Sequence, residues 1–259
     1  MLEHAIKAAV SAGEILISHY GKIEMFKQKE SLRDVVTEVD QLSEKKIISI
    51  LRNASNNYGM LTEESGFIGN NKDEYWVIDA LDGTVNYIHK IPLFSVSIAL
   101  FKSNKPILGV IYNPLSEDLY YASEETGSFK NQKRLKIKNT SLKQSVLSMA
   151  FSGKTYNKET RNKGFQLFGE INDNSQGCLR TGSAAMNLAY VAEGKFGAAI
   201  GKANKLWDIA AGLIIATTAG GSGSYNIVDK EKYLTDYIIG SSSCWNELNK
   251  NLNLNYLNL

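Results

Sequence analysis

The sequence is poor in the residues that build thiolate, redox and triad sites. Its 259 residues include two cysteines, Cys178 and Cys244, which lie too far apart to form the close-spaced pairs of zinc or thiol-exchange motifs. The three histidines, His4, His19 and His89, follow no metal-ligand or catalytic-triad spacing. Two isolated thiols are typical of a reducing compartment, so we expect a cytoplasmic protein.

Net charge and long apolar runs are also scarce. A formal net charge of +2 gives too weak a field to hold nucleic acid or an anionic membrane, so an anionic ligand would need a local site. No segment approaches the roughly 20 apolar residues that span a bilayer, and charged residues interrupt the apolar pattern of the first 20 residues, unlike a signal peptide. We therefore expect a soluble chain without nucleic-acid or membrane partners.

Helical and strand periodicities alternate along the chain, which predicts a mixed α/β fold. Helices are predicted at 2–20, 37–51, 157–170, 181–194, 206–221 and near Trp245. Strands are predicted at 75–79, 94–101, 106–113, 119–122, 134–138 and 145–151. The pattern divides into two lobes, an α+β lobe at 1–138 and an α/β lobe at 139–259, which we expect to share a continuous interface.

Several helix ends carry capping residues. Thr37 is predicted as the N-cap of the second helix, with Asp40 three residues on, where its carboxylate can return to the cap amide. Ser183 is the expected cap of the helix that Gly194 ends. The Asn-rich stretch 249–259 is interpreted as a frayed final helix.

Acidic residues collect where apolar side chains are expected to pack. They are Asp40 at a helix start, Glu63 and Glu64 in a loop, Asp79 and Asp82 at a strand end, and Asp208 in an apolar helix. Buried carboxylates are costly unless they are paired or hydrogen-bonded, so their grouping favours a metal site. Hard oxygen ligands without nearby histidine or cysteine select Mg²⁺ or Mn²⁺ over zinc.

The Asp-Gly-Thr step after the strand adds a second feature. If the chain turns into a short helix at Gly83 and Thr84, their backbone N–H groups form a cradle for phosphate oxygens. Each block taken alone has a plainer explanation, such as a turn at Asp82 or a solvated loop at Glu63. Their combination is what indicates a phosphate-handling metal site.

These blocks carry a resemblance to a known family. WVIDALDGTVNYIHKIP (76–92) resembles the first signature of the inositol monophosphatase family, and LWDIAAGLIIATTAGG (206–221) resembles the second. LTEESG (61–66) and DVVTEVD (34–40) are similar to two shorter upstream blocks, in the family's order. The resemblance implies a layered α-β-α-β-α sandwich of the inositol monophosphatase and fructose-1,6-bisphosphatase type, commonly a homodimer.

The resemblance also implies a magnesium-dependent, lithium-sensitive phosphomonoesterase that binds two to three ions. Thr84 and Asp40 would position the attacking water, which attacks in line without a covalent phosphoenzyme, and Glu64 would support them. The substrate phosphate would contact Asp82, Gly83 and Thr84. The implied metal ligands are Glu63, Asp79 and the carbonyl of Leu81 for the first ion, and Asp79, Asp82 and Asp208 for the second.

RTGSAAMN (180–187) resembles the family block that faces the leaving group. It makes Gly182, Ser183 and Ala184 the expected substrate contacts, while Arg180 is equally compatible with a subunit interface.

Two departures from the family pattern bear on specificity. Ala80 stands where the family has proline, which removes some stiffness but no ligand. Gly201 stands where several inositol phosphatases have a substrate-binding glutamate. The neighbouring Lys202, Asn204 and Lys205 are interpreted either as a rim that favours a second anionic group or as solvated loop residues.

The substrate is expected to be a small phosphorylated metabolite, such as a sugar or inositol phosphate. Fructose-1,6-bisphosphatase, NADP phosphatase and 3′-phosphoadenosine phosphatase activities stay open as alternatives. So does a regulatory binding protein that kept the fold and lost turnover.

Overall fold

The computed structural model describes residues 1–22, 27–28, 35–36, 38–54, 57–151, 158–252, 254 and 257–259. A short 3-10 turn at Leu142–Gln144 precedes the second half of the chain. The helices are α1 (Leu2–His19), α2 (Glu38–Ala54), α3 (Thr84–Ile88), α4 (Lys158–Asn174), α5 (Ala184–Glu193), α6 (Leu206–Thr218) and α7 (Ser242–Asn251).

The strands form two large sheets and one short hairpin. The strands are β1 (Lys27–Gln28), β2 (Val35–Val36), β3 (Gly59–Thr62), β4 (Gly66–Ile68), β5 (Glu74–Asp82), β6 (Ser95–Lys102), β7 (Lys105–Asn113), β8 (Asp118–Ser123), β9 (Gly127–Lys130), β10 (Lys133–Arg134), β11 (Val146–Phe151), β12 (Gly177–Leu179), β13 (Ala198–Lys205), β14 (Ser222–Asp229) and β15 (Leu234–Gly240). The eight-stranded order is β10-β9-β8-β7-β6-β5-β3-β4, and the five-stranded order is β12-β11-β13-β15-β14. β1 and β2 pair with each other.

The two large sheets and the helices stack in five layers. Helices α1 and α2 cover the outer face of the eight-stranded sheet, and α4 and α7 cover the outer face of the five-stranded sheet. Helices α5 and α6 lie between the sheets, and their side chains join both in one apolar core. The predicted α-β-α-β-α sandwich is therefore confirmed.

Helix α6 explains how the two sheets are held together. Ten of its residues are buried, so it is apolar all round, as a helix must be when a sheet covers it on each side. Gly212 lies so close to Leu188 of α5 that a β-carbon there would collide with it. Small residues thus allow the central helices to pack closely, and this packing fixes the position of Asp208 on α6.

Each of the predicted helices and strands is present in the described residues, with three corrections. The strand predicted at 134–138 covers only Lys133–Arg134, because the backbone N–H of Ile137 turns away to donate to Ala219 at the end of α6. The final helix ends at Asn251, since Leu252 has an extended backbone, so the helix predicted to fray over 249–259 stops early; residues 253, 255 and 256 lie outside the described residues. Leu257 is buried against the core there.

The third correction concerns residues 198–205, which the sequence interpretation left partly as a loop. They form β13, an interior strand of the five-stranded sheet. The predicted N-cap Thr37 lies outside the described residues, and the lobe boundary at 138/139 stays a prediction. None of the helices in the described part of the chain combines the length and apolar character needed to cross a membrane.

Candidate active site

The end of β5 carries two aspartates of the site, and a β-bulge sets their direction. Asp79 pairs with Ser97 of β6 and Asp82 pairs with Ser95, so β5 has one more residue than β6 between these two pairs. Residues three apart in a regular strand point to opposite faces, so the extra residue turns Asp82 to the side of Asp79. Both carboxylates therefore face the central helices, although sequence periodicity alone would separate them.

Asp79 is almost fully buried. One of its carboxylate oxygens accepts a hydrogen bond from the backbone N–H of Leu81 at 2.9 Å. Burial raises its pKa well above the usual range, and the nearby charges of Glu63, Asp82 and Asp208 raise it further. Asp79 is thus in a position where a bound cation would stabilise its charged form.

Asp82 connects β5 to the first turn of α5. The hydroxyl of Ser183 donates to it, and the backbone N–H groups of Ala184 and Ala185 donate at 3.2 and 3.1 Å. Burial raises its pKa to about 7 because desolvation outweighs these hydrogen bonds, with Glu63 adding to the rise. Ser183 is also the N-cap of α5, as predicted, since it accepts from the N–H of Met186.

Asp208 and Glu63 complete the acidic group from two other elements. Asp208 is in the first turn of α6, where burial and the charges of Asp82 and Glu63 raise its pKa well above the usual range. Glu63 lies in the turn between β3 and β4 and contributes to the pKa shifts of all three aspartates. The structure thus places the other three carboxylates that the sequence predicts as ligands close enough to Asp79 to raise its pKa.

Thr84 lies beside this group with Asp40 and the Leu81 carbonyl. Its hydroxyl is 3.1 Å from the Leu81 carbonyl oxygen and 3.4 Å from an Asp40 carboxylate oxygen. Asp40, on α2, is buried. The predicted contact between Thr84 and Asp40 is present, but the nearer acceptor is the carbonyl that the resemblance assigns to a metal.

Gly83 makes the turn from β5 into α3. Its φ of 91° lies in the left-handed region, which glycine adopts without steric cost. A β-carbon there would lie 3.0 Å from the Leu93 carbonyl oxygen. The turn therefore requires glycine, and the predicted strand-to-helix turn at Gly83 and Thr84 is confirmed.

Glu44 is a site residue that the sequence analysis missed. It is buried on α2, one turn after Asp40, and accepts from the backbone N–H of Glu64 at 3.0 Å and from the hydroxyl of Ser65. These bonds hold the turn that carries Glu63. The spacing of four residues from Asp40, which places both on one helix face, was the available signal.

A pocket of about 230 Å³ opens beside the carboxylates. The predicted substrate contacts Gly182, Ser183 and Ala184 line it together with Asp82 and Asp208. The remaining lining residues are Met149, Ala150, Arg180, Thr181, Asn187, Lys202, Ala203, Asn204 and Lys205.

The solvated-loop interpretation of Lys202 is wrong. Lys202 lies on β13, is 6% exposed, and forms an ion pair with the fully buried Asp236 at 2.6 Å. Lys205 is more exposed and lies over the ring of Trp207 while donating to a backbone carbonyl. No sequence pattern indicated Asp236, because its partner Lys202 lies 34 residues away on a neighbouring strand.

A comparison with protein-family models matches residues 1–253 to the inositol monophosphatase family. The chain belongs to the inositol monophosphatase family. This is a phosphatase family, and the residues predicted above as metal ligands and substrate contacts lie in the blocks that resemble the family's patterns.

Relatives within the inositol monophosphatase family carry two kinds of name. Nus factor SuhB of Xylella fastidiosa is 36% identical over 218 residues, 83% of this chain and 78% of the relative. The fructose-1,6-bisphosphatase/inositol-1-monophosphatase of Aquifex aeolicus is 33% identical over 244 residues, 93% and 91% of the two chains. The crystal structure of extragenic suppressor protein suhB from Bartonella henselae has a TM-score of 0.84 at 30% identity and 96% coverage of both chains.

The inositol monophosphatase family is generally metal-dependent, and the donor set of this chain fits a hard divalent cation. The four carboxylates and the Leu81 carbonyl are all oxygen donors, and the charges of Glu63, Asp82 and Asp208 raise the pKa of Asp79. Within the described ranges, no three acidic, histidine or cysteine side chains already converge as a ready ligand cage. Asp82, which is turned to α5, would have to share its oxygens with an ion.

Proposed function

We propose that this chain is a magnesium-dependent phosphomonoesterase that hydrolyses a small sugar or inositol phosphate. The observation that carries the proposal is the grouping of Glu63, Asp79, Asp82 and Asp208 beside a pocket that Asp82 and Asp208 line, where the charges of Glu63, Asp82 and Asp208 raise the pKa of Asp79. A bound cation would offset the repulsion among these carboxylates and keep them ionised in surroundings that otherwise favour their protonation.

The chain's own groups divide the ligand roles. Glu63, Asp79 and the Leu81 carbonyl would hold one ion, and Asp79, Asp82 and Asp208 a second. Bound magnesium supplies a positive charge that acidifies water and neutralises phosphoryl oxygens. Manganese would substitute for it because it binds the same oxygen donors.

Thr84 and Asp40 act on the attacking water. The Thr84 hydroxyl lies between the Asp40 carboxylate and the Leu81 carbonyl, so it can orient a water and pass a proton towards Asp40. Glu64 belongs to the turn that Glu44 holds. The backbone N–H groups of Gly83 and Thr84, at the strand-to-helix turn, would bind the phosphate oxygens.

The rest of the pocket receives the part of the substrate beyond the phosphate. Gly182, Ser183 and Ala184 line it next to Asp82, so they would contact the leaving group. Gly201 offers no carboxylate to a substrate hydroxyl, while Arg180, Lys202 and Lys205 place positive charge at the pocket wall. This lining favours a substrate with further anionic or polar groups.

The test is phosphate release from a panel of four substrates with magnesium present. The panel is inositol 1-phosphate, fructose 1,6-bisphosphate, NADP and 3′-phosphoadenosine 5′-phosphate. We expect turnover of at least one, loss of turnover on chelation, and inhibition by lithium. If no phosphate is released from any of the four substrates, the proposal that this chain is an enzyme fails.

Metal binding can be measured apart from turnover. Magnesium that binds only the folded state raises the thermal midpoint, and we expect this rise for the natural chain. Asp208→Asn should reduce it, while Asp173→Asn, the same change at an exposed position of α4, should not. Equal shifts in both variants would argue against Asp208 as a ligand.

A second candidate function is a regulatory binding role on the same fold. It is favoured by the name Nus factor SuhB, which relatives from several bacteria carry. Against it stands the complete set of Glu63, Asp79, Asp82, Thr84 and Asp208, which binding alone does not require. The substrate panel separates the two, because a purely regulatory protein releases no phosphate.

A further inference from the structure

The wall of the pocket contains a buried ion pair in addition to the carboxylates. Lys202, which lines the pocket, has a side chain that is 7% exposed, and its partner Asp236 is fully buried. Breaking a buried pair is strongly unfavourable, because the remaining charge has lost both water and partner. The position of Lys202 in the pocket wall therefore depends on Asp236.

Asp236 also fixes the backbone next to Lys202. Its other carboxylate oxygen accepts from the N–H of Ala203 at 2.8 Å. Ala203 has a φ of 48°, in the left-handed region that a non-glycine residue seldom adopts, and lies where the register of β13 shifts between Gly201 and Asn204. An unusual backbone of this kind persists only when its surroundings hold it, and Asp236 supplies that hold.

A third segment meets the same carboxylate. The backbone N–H of Asn258 donates to Asp236 at 2.8 Å, to the oxygen that also accepts from Lys202. The carbonyl of Asn258 accepts from the side chain of Asn226 at 3.0 Å, and the neighbouring Leu257 is 5% exposed in the core under α7. The segment 257–259 is thus attached on both sides of its contact with Asp236.

We propose that Asp236 is a positioning residue that joins the segment 257–259 to the substrate pocket. Asp236 holds Lys202 and the turn at Ala203 in the pocket wall, and the backbone N–H of Asn258 donates the third hydrogen bond to its carboxylate. This part of the pocket wall contacts the substrate beyond the phosphate, so Asp236 affects KM. The carboxylates that act on the phosphate are not altered, and kcat therefore stays unchanged. This inference rests on the proposed phosphatase function.

Asn258→Pro tests the segment, because proline removes the one N–H that reaches Asp236. Asn258→Ala is the matched control, since it keeps that N–H and changes only an exposed side chain. For the substrate hydrolysed best, we expect KM to rise roughly five-fold in the proline variant, as for the loss of one hydrogen bond, with kcat unchanged. Equal KM values in the two folded variants would overturn the role of the segment.

Lys202 variants test the wall itself if the proline variant does not fold. Lys202→Met combined with Asp236→Asn leaves no buried charge unpaired, and it should raise KM by about ten-fold at unchanged kcat, the factor of a lost charged contact. Lys202→Arg alone should keep much of the affinity because it keeps the positive charge. A fall in kcat at constant KM, or no effect in the folded double variant, would overturn the proposal.

Hydrogen exchange separates this inference from the proposed function. If the natural chain releases no phosphate from any substrate, the phosphatase proposal fails by itself. The Ala203 amide should still exchange faster in Asn258→Pro than in Asn258→Ala, because its acceptor Asp236 is less restrained. Identical exchange of this amide in the two variants would refute the structural coupling, whatever the activity.

Discussion

The hydroxyl of Ser183 donates a hydrogen bond to the carboxylate of Asp82, and this bond joins the end of β5 to the start of α5. The same Ser183 oxygen caps α5 by accepting from the N–H of Met186 at 3.2 Å. One side chain therefore links the stability of a central helix to the orientation of a proposed metal ligand. Chemistry and packing can be separated here by choosing variants that disturb only one of them.

Asp82→Asn should remove the chemistry and spare the fold. The amide keeps the shape of the carboxylate but loses its charge, so we expect phosphate release to fall by at least about 100-fold, since even supporting groups around a metal cost 10–100-fold. The thermal midpoint should fall by only about 2–4 °C, because the uncharged group is easier to bury, although its NH2 group cannot accept all the hydrogen bonds that Ser183, Ala184 and Ala185 donate. Asp173→Asn is the control, and turnover near the natural rate in Asp82→Asn would exclude Asp82 as a ligand.

Ser183→Ala and Ser241→Ala form a matched pair. Each serine caps a helix, Ser183 through Met186 and Ser241 through Cys244, and each donates a second hydrogen bond. Both changes should lower the free energy of unfolding by about 1–2 kcal/mol, measured by urea unfolding. Only Ser183→Ala should also lower phosphate release, because only Ser183 contacts Asp82; equal activities would contradict this link.

Gly201→Ala should destabilise the protein. A β-carbon at this position would collide with the ring of Tyr237 and the side chain of Asn204, and Tyr237 is fully buried and cannot move freely. We expect a loss of about 1–3 kcal/mol in unfolding free energy, as for other overpacked sites. Gly169→Ala, in open space on α4, should instead gain up to about 1 kcal/mol from helix propensity.

The opposite signs of these two alanine changes make the comparison decisive. A Gly201→Ala variant of unchanged stability would show that the ring of Tyr237 can shift to make room for the added methyl group. The glutamate of other family members could then be introduced at this position without rebuilding the wall.

Glu193 should make stability depend on pH. It accepts from the hydroxyl of Tyr120 at 2.6 Å and from the ammonium groups of Lys130 and Lys195 at 2.9 and 3.0 Å. Burial opposes its charge, but these donors outweigh burial and lower its pKa below 4.5. The stabilisation is therefore present above pH 4.5 and is lost as pH falls through the lowered pKa.

Glu193→Gln measures that contribution. Its urea midpoint should lie below that of the natural chain at pH 7, and the difference should shrink as the pH is lowered through about 4.5. The exposed Glu125→Gln variant is the control, for which we expect no such trend. A difference for Glu193→Gln that stays constant with pH would contradict the assigned role of its charge.

Local patterns predicted much of this molecule because they depend on neighbouring residues. The continuous apolar run at 206–221 predicted the central helix α6. The position of Ser183 directly before the apolar run of α5 predicted the cap, and the Asp-Gly-Thr step predicted the turn at Gly83. Strand β13 was missed because lysines and glycine interrupt its apolar pattern. The burial of Lys202 depends on Asp236, a partner that no local pattern reveals.

The sequence by itself determined the residue types of the site, the long helices and the family, since the signature blocks are contiguous in the chain. Only the tertiary structure decided which way these groups point. The bulge in β5 turns Asp82 to the face of Asp79, Glu44 holds the turn of Glu63, and Asp236 fixes Lys202. These arrangements are tertiary because burial makes each charge depend on partners that the chain brings from distant segments.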